Sequence, residues 1–67
     1  VEGKVGPGSR LTVSFLGEVY DVWSFDSTLR DALRAQFKEG ETVRFYGELG
    51  QHRGRWQFVI HDARWVR

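Results

Sequence analysis

The sequence predicts a small all-β protein: a barrel of five short strands with one helix between the third and fourth strands. The chain has 67 residues and no cysteine, which suits one domain spanning residues 1–67 and excludes a disulfide framework. Apolar and polar residues alternate in five short runs, and between the third and fourth runs the apolar residues recur at helical spacing. Five antiparallel strands leave unpaired edges unless the sheet closes on itself, so we expect a closed barrel.

Alternation and turn residues predict the first three strands. Residues 1–5 alternate small or apolar side chains with charged ones, and the Gly-Pro-Gly-Ser sequence of residues 6–9 ends this strand in a turn. Residues 10–16 alternate cleanly, and Gly17 with Glu18 predicts a hairpin turn. Residues 19–25 are rich in β-branched and aromatic side chains, which favours a third strand.

The next segment has the period of a helix. Its apolar side chains recur every four residues and therefore share one face: Leu29, Leu33 and Phe37. Thr28 followed by Asp31 predicts a capping box, and Gly40 is suited to close the helix as its C′ residue. We expect a helix over residues 28–38 whose apolar face covers one open end of the barrel.

Alternation returns after the helix. Residues 42–49 predict the fourth strand, and residues 50–54 form a polar segment between two glycines that predicts a loop. Trp56, Phe58 and Ile60 then share one face of a fifth strand.

A helix inserted between the third and fourth strands of a five-stranded barrel is the arrangement of the OB-fold. The alternative, an SH3-like barrel, rarely carries a helix at this point. Residues 40–48 (GETVRFYGE) resemble the fourth strand of OB-fold nucleic-acid-binding domains, and residues 53–59 (RGRWQFV) are similar to the fifth strand of the OB module in the exodeoxyribonuclease VII large subunit. The element order is similar along the whole chain, and the resemblance implies an OB-fold that binds nucleic acid.

Charge and hydropathy exclude several classes of protein. The chain has ten Lys and Arg and nine Asp and Glu, which gives a net charge of +1. So small a net charge argues against electrostatic wrapping of duplex DNA. The most basic segment is residues 50–67, where four arginines accompany one aspartate. No apolar run reaches the length of a membrane-spanning helix and no signal-peptide pattern opens the chain, so we expect a cytoplasmic protein without membrane contact.

Catalytic, metal and cofactor chemistry have little support. His52 and His61 lie nine residues apart with Asp62 beside the second, and no further group completes the three or four ligands that a metal needs. Residues 6–9 lack the lysine and the following helix of a phosphate-binding loop. We therefore expect no enzyme activity, no metal and no small-molecule cofactor.

A binding face is better supported. OB-folds hold single strands on strands two and three, flanked by the first loop and by the loop between strands four and five. Planar side chains stack on bases, while cations and hydroxyls contact the backbone. The sequence supplies such groups at these places: Lys4 and Arg10 beside the first loop, Thr12 and Ser14 on the outer face of strand two, Trp23 on strand three, and His52, Arg53 and Arg55 at the second loop.

Two interpretations stay open for these residues. If Asp21 faces water, Trp23 faces outward with it and offers a ring for stacking, whereas a bulge in the third strand would bury Trp23. Arg53 and Arg55 are either phosphate ligands or solvated loop charges.

The sequence predicts a non-catalytic domain that binds single-stranded nucleic acid, with DNA favoured over RNA. The alternative is a protein-interaction or accessory domain of a larger protein, in which Trp65 packs on a neighbouring domain or a second copy. Rings interleaved with cations would favour nucleic acid, and an exposed apolar patch without cations would favour protein docking.

Overall fold

The computed structural model describes all 67 residues and is mostly β with one α-helix. Six strands follow one another along the chain: β1 (Glu2–Val5), β2 (Thr12–Phe15), β3 (Glu18–Trp23), β4 (Thr42–Arg44), β5 (Glu48–His52) and β6 (Arg55–Val59). The helix α1 (Ser27–Gln36) lies between β3 and β4, and a short 3₁₀ helix (Ala63–Trp65) follows β6. In length and hydropathy, α1 falls short of a membrane-crossing helix.

The strands form one sheet in the order β4-β1-β2-β3-β6-β5. All neighbours pair antiparallel except β3 and β6, which pair in parallel. The edge strands β4 and β5 lie at opposite ends of this order, although only residues 45–47 separate them in sequence. The sheet is therefore six-stranded and not closed by a continuous ladder, and the predicted fourth strand is two strands with different partners.

The chain changes partners between β4 and β5 because residues distant in sequence bind the connection. Phe45 forms a bridge with Val66 and exchanges backbone hydrogen bonds with Val1 at 2.7 and 2.9 Å. Gly47 follows, and a Cβ there would lie 3.1 Å from the Cβ of Phe58. Because Gly47 has no Cβ, the backbone can pass close to β6, and β5 then pairs with β6.

The turn between β5 and β6 is shorter than the predicted loop over residues 50–54. β5 continues to His52, and only Arg53 and Gly54 form the turn, with φ of +53° and +77°. Two consecutive positive φ values are typical of a type I′ turn, which matches the twist of a hairpin. Residues 50–52 are polar and were therefore predicted to form a loop, but they belong to an exposed edge strand.

The predicted helix is present, but both of its ends were predicted wrongly. It ends before Phe37, which is the C-cap, so Gly40 lies beyond the C′ position that was predicted for it. Asp26 is the N-cap, and its carboxylate accepts a hydrogen bond from the Leu29 N–H at 3.1 Å. Thr28, the predicted cap, lies inside the first turn. Asp26, two positions earlier, is a more favoured capping residue than threonine, and its extended backbone suits the role.

The core lies between the sheet and α1. Its buried members come from every part of the chain: Val5, Val13, Val22, Leu33, Phe37, Phe45, Phe58 and Ile60. Leu33 is 1% exposed, so the helical apolar face packs on the core as its spacing predicts.

Candidate functional site

A cleft of about 570 Å³ lies where the β1–β2 loop, β3, α1 and the β5–β6 turn meet. Five of the eight arginines of the chain line it: Arg10, Arg30, Arg34, Arg53 and Arg55. Trp23, Phe25 and His52 add planar rings, and Asp21 is the only carboxylate among the lining residues. The chain is almost neutral overall, so this cleft concentrates its positive charge.

Trp23 lies at the end of β3 and faces the cleft. β3 pairs with β6 in unbroken register from Asp21 to Trp23, and Val22 between them is buried. Trp23 is 36% exposed. No bulge reverses the strand, so Trp23 lies on the same outer face as Asp21.

Arg30 covers one side of the Trp23 ring. Its guanidinium carbon lies 4.4 Å from the ring centroid, a cation–π arrangement. The same guanidinium donates a hydrogen bond to the Ser24 carbonyl at 2.9 Å. α1 thereby holds the Arg30 guanidinium against the Trp23 ring at the cleft.

Arg55 is held by Asp21 on the neighbouring strand. The guanidinium donates two hydrogen bonds to the carboxylate, at 3.0 and 3.2 Å, because Arg55 lies two residues before Gln57, the register partner of Asp21. This hydrogen bond, with the attraction between the charges, raises the pKa of Arg55 above its ordinary value. Arg55 is therefore a positioned cation whose charge is already partly balanced.

Four of the five cleft arginines have no carboxylate partner: Arg10, Arg30, Arg34 and Arg53. Arg34 donates to the Ser9 carbonyl at 3.2 Å, which ties α1 to the β1–β2 loop. Arg10 and Arg53 form no salt bridge. These charges are available to an anionic ligand.

The structure brings together five of the eight residues predicted from the sequence: Arg10, Trp23, His52, Arg53 and Arg55. Lys4 and Ser14 are exposed cross-strand partners on β1 and β2, outside the cleft. Thr12 lies on the predicted outer face of β2, as the register partner of Asp21. It is nevertheless buried and outside the cleft lining, because the β1–β2 loop folds back over its hydroxyl at Gly6.

Sequence reasoning missed Arg30, Arg34 and Phe25. Arg30 and Arg34 are four residues apart and so share a helix face, beside the apolar one. That spacing was visible, but the direction of this face toward the cleft depends on how α1 packs. Phe25 was assigned to the third strand, which ends at Trp23.

The histidines do not form a metal site. His52 lines the cleft, while His61 Nε2 lies 2.8 Å from Glu48 Oε1 on another part of the surface. No group of three His, Cys, Asp or Glu side chains comes together that could hold a metal ion.

Comparison with known proteins found no matching family model, curated protein or solved structure.

Proposed function

We propose that the arginine-lined cleft binds single-stranded nucleic acid, with DNA favoured over RNA, and that the domain has no catalytic activity of its own. The observation that carries this proposal is the convergence of five arginines on a cleft that contains an outward-facing tryptophan. Guanidinium groups bind phosphate oxygens through paired N–H donors, and tryptophan stacks on bases of any sequence. The two groups together match the two repeating parts of a nucleotide strand.

A single strand fits the cleft better than a duplex does. The Trp23 ring lies among arginines from three segments of the chain, and a base reaches such a ring only when it is unstacked from its own partners. The cleft volume, about 570 Å³, lies within the range that encloses a small organic ligand. It is suited to one or two nucleotides, with the rest of the strand outside it.

We also propose that the fold is an OB-fold and that the resemblance to the OB module of the exodeoxyribonuclease VII large subunit reflects a common architecture. The parallel pairing of β3 with β6 and the position of α1 support this proposal. So does the location of β4 and β5 at the two edges, since together they act as one bent strand that contacts both ends of the sheet. The cleft lies between the loops that flank the binding face of OB-folds.

Fluorescent oligonucleotides titrated at several salt concentrations test the proposal. Arg10→Ala removes a cleft arginine that forms no salt bridge, and Lys38→Ala removes an exposed cation outside the cleft. Each lost phosphate contact flattens the dependence of log K on log salt by about 0.7 for a single strand. We expect this change for Arg10→Ala only, and tighter binding of DNA than of RNA of the same sequence. Equal effects of the two substitutions would contradict the cleft assignment.

A second candidate function is protein docking, favoured by the opposite face of the β5–β6 hairpin. Leu49 and Trp56 are 56% and 50% exposed, and both lie on the Phe58 side of the hairpin, away from Arg55. An accessory domain of a larger protein would use such a face. Replacement of Trp56 by serine should then abolish association with the partner protein and leave oligonucleotide binding unchanged.

A further inference from the structure

Four aromatic side chains form a row on the surface that begins at the cleft. The row consists of Phe25, His61, Trp65 and Tyr46, and Phe25 also lines the cleft. Successive ring centroids lie 6.4, 5.5 and 4.8 Å apart. We call this set the aromatic row.

Backbone pairing fixes the aromatic row in place. The Ile60 N–H donates to the Trp23 carbonyl at 2.8 Å, so the chain segments that leave β3 and β6 run side by side and bring Phe25 to His61. At the other end, the Tyr46 N–H donates to the Trp65 carbonyl at 2.8 Å. The row is therefore part of the folded framework.

The two ends of the row are exposed to solvent. Phe25 is 72% exposed and Tyr46 is 60% exposed, although large rings stabilise a small domain most when they are buried. Neither ring belongs to the core. Surfaces that bind single-stranded nucleic acid combine exposed aromatic rings, on which bases stack, with a cationic groove. The exposed rings next to the cationic cleft match this combination.

Two of the carboxylates beside the row are partnered by other side chains. Glu48 lies 2.8 Å from His61 Nε2, and Asp62 accepts hydrogen bonds from the side chain and backbone of Arg64. These bonds lower the pKa of Asp62 to about 2. Arg64 balances the charge of Asp62, which reduces repulsion of a phosphate backbone along the row.

We infer that a nucleic-acid strand held in the cleft continues along the aromatic row, so that bases outside the cleft stack on Phe25 and Tyr46. This inference rests on the proposed function. It extends the site from the cleft to the connection between β4 and β5, and it predicts that longer strands bind more tightly than the cleft alone explains.

The test compares two oligothymidylates, of about four and about twelve nucleotides, a range that spans the site sizes of single OB domains. Tyr46→Ala should weaken binding of the longer strand by about 5-fold or more, the equivalent of one lost stack. It should leave binding of the shorter strand unchanged, because Tyr46 does not line the cleft. Tyr46→Phe, which keeps the ring, should bind both strands like the wild type.

Trp56→Ala is the matched control, since it removes an exposed ring from the opposite face of β6. It should leave both affinities unchanged. Tyr46→Leu fills the same space without a planar ring and replaces Tyr46→Ala if that variant has a lower melting temperature. Tyr46→Ala and Tyr46→Leu could bind the longer strand like the wild type while Trp23→Ala weakens binding of both strands. This result would overturn the aromatic row as a binding surface and leave the cleft as the binding site. If the wild type binds neither oligonucleotide, both the aromatic row and the cleft are overturned as binding sites.

Discussion

Arg53 adopts a backbone conformation that arginine rarely takes. Its φ of +53° lies in the left-handed region, which costs a residue with a Cβ about 1–2 kcal/mol and favours glycine or asparagine. A type I′ turn requires this conformation at its first central residue, and residues strained in this way cluster at functional sites. Here it places an arginine without a salt bridge at the rim of the cleft.

Replacement of Arg53 by asparagine should separate stability from binding. Asparagine tolerates the left-handed conformation, so we expect the free energy of unfolding to rise by about 1 kcal/mol. The salt dependence of binding should flatten by about 0.7 in the same variant. Urea denaturation and oligonucleotide titration measure the two effects.

Leu16 offers the matched control at the other hairpin. Its φ is +52° and it lies outside the cleft. Leu16→Asn should stabilise the domain to a similar extent without any change in binding. Weaker binding by Leu16→Asn, or unaltered binding by Arg53→Asn, would contradict the role given to Arg53.

In the proposed nucleic-acid site, Trp23 provides the ring on which a base stacks. Trp23→Ala should weaken binding by about 1–3 kcal/mol, the range for one stack between a base and an aromatic side chain. Trp23→Phe keeps a planar ring and should retain most of the affinity. Circular dichroism must show wild-type folding, because Trp23 also packs under Arg30. A folded Trp23→Ala protein with unchanged affinity would eliminate stacking on this ring.

At the scale of the elements, α1 connects the core to the cleft. Its buried face carries Leu33, and the adjacent face carries Arg30 and Arg34. The stability of its first turn depends on Asp26, whose carboxylate caps the Leu29 N–H.

Asp26→Ala should lower the free energy of unfolding by about 1 kcal/mol, since the N-terminal N–H groups lose their acceptor. Thr28→Ala is the control, because Thr28 lies within the helix and caps nothing. Chemical denaturation of both variants distinguishes the two positions. A larger loss for Thr28→Ala would mean that the capping box predicted from the sequence is correct.

The elements also show why some features were predictable and others were not. The period of Leu29, Leu33 and Phe37 is local information, and the helix that it predicts is present. The break between β4 and β5 depends on Phe45 pairing with Val1 and Val66. No local pattern contains those contacts, so the sequence indicated one strand.

The residues of the candidate site also differ in how far local patterns predict them. Trp23 was predictable because alternation with Asp21 sets the face on which it lies. The cleft arginines come from positions 10 to 55 and converge only in the fold. The net charge along the sequence is most positive in residues 50–67, so it does not indicate the helix. Three of the five cleft arginines nevertheless precede residue 40.

For the whole molecule, one small core supports both the sheet and the cleft. Leu33→Asp should unfold the domain, because it buries a charge among apolar side chains without a partner. Arg34→Ala, next to it on an exposed face, should shift the melting temperature little. Circular dichroism during heating measures both. A wild-type melting temperature for Leu33→Asp would show that α1 does not cover the core.

Single-strand binding by the cleft is tested most directly by the affinity of the domain for a single-stranded oligonucleotide as a function of salt. We predict binding at about tens of micromolar or tighter in low salt. Log K should fall linearly with log salt at a slope of about −0.7 for each phosphate contact. No binding at about tens of micromolar in low salt, or binding that salt leaves unchanged, would contradict a cleft that holds the phosphate backbone.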